Sequence, residues 1–169
     1  MKSHLLLLIA LPALILFSCG KTESREFSLA TEMVFEGPLF EGPNTAQYTM
    51  ESAWGDFLTA QQIQSDDIKS VTLTSATITL DPSFETSLIS DLGLTFAADE
   101  IEMLQVAGLN PLPANANQVE LTISNEVDVT PFFKQAKFIV LLDAGVGEEL
   151  YDNYTASARF NFNVQVKVD

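Results

Sequence analysis

Histidine and cysteine each occur once in the 169 residues, as His4 and Cys19. Both lie in or next to an apolar leader, so everything after Cys19 has neither an imidazole nor a thiol. That absence excludes Ser-His-Asp and Cys-His catalysis, and zinc, copper or haem held by His or Cys. No disulfide can form beyond Cys19, and the fold must be held by its core alone. Basic residues are also scarce, at 8 Lys and Arg against 23 Asp and Glu. Setting aside Lys2 leaves 7 against 23, a net charge of −16. Such a surface repels nucleic acid and anionic lipid headgroups, and its ordinary role is solubility. No apolar run reaches the roughly 20 residues that cross a bilayer as a helix.

The leader itself is informative. Lys2 precedes an apolar run from Leu5 to Phe17 that only Pro12 interrupts, and small Ser18 then precedes Cys19. This is the layout of a secretory signal peptide. Leu16-Phe17-Ser18-Cys19 resembles the lipobox of bacterial lipoproteins. The resemblance implies a diacylglyceryl thioether on Cys19, cleavage after Ser18 and acylation of the new N-terminus, which together hold a protein stably on a membrane. The alternative is ordinary cleavage with Cys19 left as a free thiol. The expected organisation is a signal peptide over 1–18, a short tether over 19–26 and one domain over 27–169. Eight steps from Cys19 to Phe27 reach at most about 28 Å, so the domain is expected close to its membrane. By analogy with lipoprotein sorting, Gly20 in place of an aspartate points to the outer membrane. The mixed signs of Lys21 to Glu26 leave periplasmic and surface display both open.

Downstream, period-2 alternation dominates. Phe27, Leu29, Thr31, Met33 and Phe35 share one face of a first strand. Glu36-Gly37-Pro38 and Glu41-Gly42-Pro43 are turn chemistry. Trp54, Phe57, Leu58 and Ile63 fit one face of a short helix or structured loop between Met50 and Gln64. From Ile68 to Leu80, Val71 and Leu73 share one parity, while Ala76, Ile78 and Leu80 share the other; a β-bulge would produce that slip. Further strands are expected at Leu92–Phe96, Ile101–Val106, Val119–Ile123 and Phe138–Leu142. Asp128 to Phe133 reads as an N-capped single turn with Pro131 near its first position. Between Tyr154 and Val168 every second residue is apolar. About seven strands with half-buried alternation predict an all-β protein, an antiparallel β-sandwich of immunoglobulin-like size, with a closed barrel as the alternative.

The run Ile68 to Leu73, the turn Asp128 to Lys134 and the closing Phe160 to Val168 resemble small envelope lipoproteins of Bacteroidetes-type bacteria. The resemblance covers roughly the last hundred residues; it implies the sandwich fold and the envelope compartment, and supplies no site residues.

Asp143, Glu148, Glu149 and Asp152 offer oxygen ligands for a calcium ion in a Gly-containing stretch, without EF-hand spacing. Paired acids such as Asp66-Asp67 and Asp99-Glu100 would need a cleft between them to act as a hydrolase. Trp54, Tyr151 and Tyr154 could stack on a sugar. Leu109 and Leu112 sit in a loop stiffened by Pro111 and Pro113, which suits either a contact tip or a cap over the sandwich. The expectation is a non-enzymatic, lipid-anchored envelope protein without a cofactor. It would be held to the membrane through Cys19 and act as an accessory component of a membrane complex. A small-molecule or glycan binder is the alternative, and a carboxylate hydrolase the weakest.

Overall fold

The computed structural model describes residues 21–84, 86–125 and 127–168. The leader and Cys19 lie outside them. β9 (Tyr154–Val168) is the strand around which the first sheet forms. Its even-numbered residues from Tyr154 to Val166 are buried, as the alternation predicts. β1 (Lys21–Phe35) and β3 (Ile68–Leu80) pair with it on either side, and β6 (Gln118–Glu120) adds to β3, giving the order β1-β9-β3-β6. The second sheet contains β2 (Gly42–Met50), β4 (Ile89–Ala98), β5 (Ile101–Leu109), β7 (Thr122–Ile123) and β8 (Phe138–Val146), in the order β2-β8-β4-β5-β7. Every pairing is antiparallel.

The protein is an antiparallel β-sandwich, and its two sheets rule out the closed barrel. The chain crosses between the sheets at every step except β4 to β5 and β7 to β8, so that 1-9-3-6 faces 2-8-4-5. That interleaving is jelly-roll connectivity, with β7 as a short addition.

The described residues hold nine strands where about seven were expected. β2 has weak alternation, since only Ala46 and Met50 in it are buried, and its Pro43 is tolerable because β2 is an edge strand. The run 119–123 divides at Leu121. Before it β6 pairs with β3, after it β7 pairs with β5, and the Leu121 N–H donates to the Ala76 carbonyl at 2.8 Å. The expected tether is also shorter: residues 21–26 are the first rungs of β1, from Lys21 opposite Val168 to Glu26 opposite Asn163. None of those six side chains is buried, so hydrophobic patterning carried no trace of a strand there.

Three local expectations match the structure. The β3–β9 register slips between Leu73 and Ser75, which lets both parities of β3 face inward. α1 (Ser52–Gln61) buries Trp54, whose indole N–H donates to the Phe133 carbonyl at 2.9 Å. α2 (Thr130–Phe133) is the single turn expected, with Pro131 at its start; its cap residue is Val129, and Asp128 one residue earlier accepts from the Thr130 N–H through Oδ1 at 2.9 Å. The core is rich in aromatic contacts. Phe27 meets Trp54, Phe57, Phe133 and Phe162, and Phe138 joins Phe133 to Phe96.

These contacts fix the polarity of the sandwich. The start of β1 lies at the end that carries α1 and α2, here the helix end. The opposite, loop end carries residues 36–41, 110–117 and 147–153, and the turn that begins at Asp81. In that turn the Ser83 hydroxyl and N–H donate to Asp81 Oδ1 at 2.6 and 2.8 Å, which holds the Asp81 carboxyl below its ordinary pKa.

Candidate functional site

Of the aromatics considered for sugar stacking, Trp54 and Tyr154 are core residues. Trp54 packs between Phe27, Phe57 and Phe133, while Tyr154 stacks on Phe84. Tyr151 is 74% exposed. Its hydroxyl donates to Glu149 Oε2 at 2.8 Å, and that hydrogen bond, reinforced by the carboxylate charge, raises the Tyr151 pKa.

The four acids considered for calcium do not converge. Asp143 lies within β8 and accepts from the Thr45 hydroxyl, whereas Glu148, Glu149 and Asp152 are exposed in the loop beyond β8. Among the described residues no three carboxylates gather into a group that could hold a metal ion. Leu109 ends β5, and the Leu112 N–H donates to the Ser90 carbonyl at 3.0 Å. Both leucines are half-buried and pack against the core, which are the contacts of a cap.

Two features went unread in the sequence. At the helix end, Thr49, Ala97, Met103, Lys137, Phe138 and Ile139 line a depression of about 320 Å³ on the outer face of the second sheet. Met103 is 65% exposed and Ile139 38%. Ile139 pairs with both Thr49 and Ala97, so the row crosses three strands. Its signal was an apolar residue at the wrong parity of β8, between Phe138 and Val140.

At the loop end, Phe40 is 61% exposed. Residues 36–41 and 147–153 are joined where Leu39 and Leu150 exchange backbone hydrogen bonds of 2.7 and 2.9 Å. The Asn153 side chain also accepts from the Gly37 N–H at 2.9 Å. Gly37 is required there, because a Cβ would fall 2.5 Å from the Asp152 carbonyl oxygen. The signal for Phe40 was a lone aromatic between two Glu-Gly-Pro turns.

The fold and these surfaces define a jelly-roll β-sandwich with one helix end and one loop end. No protein-family model matches the chain, and no curated protein matches it. Among solved structures, it is similar to the BFDV capsid protein in its 60-mer form, at 11% identity over 89% of this chain and 96% of that one, with a TM-score of 0.42. A second similar chain comes from the carbohydrate-binding modules of the β-sandwich superfamily, at 12% identity and TM-score 0.34. That match covers 83% of this chain and 56% of the module's chain. A third is from turnip yellow mosaic virus, at 8% identity over 100% of this chain and 90% of that one, with a TM-score of 0.31.

Proposed function

We propose that the chain is a lipid-anchored protein of the bacterial cell envelope, with a non-catalytic scaffolding role as an accessory component of a membrane complex. The observation that carries this is the relation of β1 to Cys19. Lys21, two residues on, is already paired with Val168 at the helix end of the sandwich. Two residues span about 7 Å, so acyl chains on Cys19 would hold the helix end against the bilayer with little slack. The same end carries the apolar row of Ala97, Met103 and Ile139. An exposed apolar patch beside an anchor suits contact with a partner in the same membrane, where tethering raises the effective concentration of both.

Mass spectrometry of the N-terminal peptide from native membranes tests the anchor. The expected result is an acylated Cys19 in the wild type and a Cys19→Ser protein that leaves the membrane fraction. An unmodified Cys19 in membrane-derived wild-type protein would overturn the reading.

A further inference from the structure

We propose that the loop end is a docking surface for a lysine- or arginine-rich segment of a partner protein, with Phe40, Tyr151 and Glu149 as its contact residues. This names a partner class for the scaffolding role above. It rests on that role and not on the lipid anchor.

The placement of the three side chains follows from one rung of pairing. Leu39 is buried and Leu150 half-buried, so the positions next to them face out. Continuing the antiparallel register from Leu39 and Leu150 sets Phe40 across from Glu149 and Pro38 across from Tyr151. Phe40 and Tyr151 are then diagonal neighbours on the outer side of the joined loops, within reach of one ligand. Their backbones are held in place. The Phe40 N–H donates to Asn44 Oδ1 at 3.1 Å, and Asn44 Nδ2 donates back to the Phe40 carbonyl at 2.7 Å. The Gly147 N–H donates to the Leu88 carbonyl at 2.7 Å. Two large rings are thus presented on ordered loops, which limits the entropy lost on binding.

Charge selects the ligand. Residues 36–41 and 147–153 contain Glu36, Glu41, Glu148, Glu149 and Asp152, with no lysine or arginine. The basic residues cluster elsewhere: Lys21 and Arg25 early in β1, Lys69 early in β3, Lys134 and Lys137 between α2 and β8, and Lys167 late in β9. These six belong to the helix end, where they are mixed with acids such as Asp66, Asp67 and Asp99, and the seventh, Arg159, lies within β9 opposite Ala30 and Thr77. A cation laid over an aromatic face gains from the ring quadrupole, and a neighbouring carboxylate adds to that gain. The Tyr151 hydroxyl occupies one oxygen of Glu149, which leaves the other to accept from a guanidinium or an ammonium. A neutral sugar could stack on the rings and donate hydroxyl hydrogen bonds to the carboxylates, but it carries no positive charge to offset their desolvation.

The test uses the full-length protein in detergent micelles and a fluorescein-labelled peptide of alternating arginine and glycine, read by fluorescence anisotropy. Any acidic protein attracts such a peptide, so the deciding variant leaves the charge unchanged. Phe40→Ser with Tyr151→Ser is expected to weaken binding roughly tenfold or more, while the melting temperature holds because both side chains are exposed. Glu149→Gln should also weaken binding, and Ile139→Ser at the helix end should not. Cys19→Ser should bind the peptide as the wild type does, which separates this surface from the anchor. Equal binding by the wild type and the double variant would overturn the proposal. So would binding of cellohexaose, lost in the same double variant, without binding of the arginine peptide.

Discussion

Thr130 is a buried polar residue of this sandwich, and its environment explains why it is tolerated. Its hydroxyl accepts from the Val71 N–H at 2.8 Å, just past the register shift between Ile68 and Ser70 where the β3–β9 ladder is interrupted. A side chain from α2 thus supplies an acceptor to a buried strand amide. Thr130→Val keeps the shape and removes that acceptor, so it should cost about 1–3 kcal/mol, while Thr130→Ser should cost less. Urea denaturation of the two variants measures the difference, and equal midpoints would show that Val71 has another partner. The sequence located Asp128 and Pro131 of this turn, because their contacts are local, although Val129 and not Asp128 is the cap residue. It could not locate the bond to Val71, which spans 59 residues.

Among the elements, β9 shows best how far alternation reaches. Its pairing with β1 runs through Phe27 and Phe162 at the centre of the aromatic core, and Asn163 lies on the outer face with its Oδ1 accepting from Gln165 Nε2 at 2.9 Å. Phe162→Asp places an unpaired charge in the core and should cost several kcal/mol, of order half of a typical domain's stability. Asn163→Asp keeps the acceptor and should cost under about 1 kcal/mol. Similar melting temperatures for the two variants would contradict the inward face assigned to β9. Elements with full inward faces, β1 from Phe27 on, β3, β8 and β9, were legible for the same reason. β2 was not, because Asn44, Ala46 and Tyr48 give it a small and partly polar inner face. The division of β6 from β7 was not legible either, since a chain that changes sheets at a corner keeps its alternation.

For the whole molecule, the excess of acids sets how stability responds to salt. A chain of formal net charge −15 repels itself when compact. Raising ionic strength from about 0.01 to 0.15 M shortens the screening length from about 30 to 8 Å, so the melting temperature should rise over that range. A falling melting temperature would mean that attractive pairs such as Arg25 with Glu23 outweigh the repulsion. Composition made this global property legible, and it also excluded His and Cys chemistry. The separation of a helix end that mixes bases with its acids from a loop end of acids and aromatics without a base was not legible, because it depends on which strands run up and which run down.

The full-length pairing of β1 with β9 has a mechanical side. A load that enters at Lys21 and leaves through a ligand held at Phe40 and Tyr151 runs along the axis of β1. It is met by the whole ladder from Lys21 opposite Val168 to Phe35 opposite Tyr154. Force in that direction shears all the rungs together, where a pull at right angles would peel them one at a time. A domain held at its helix end and engaged at its loop end is therefore strained along its most resistant direction.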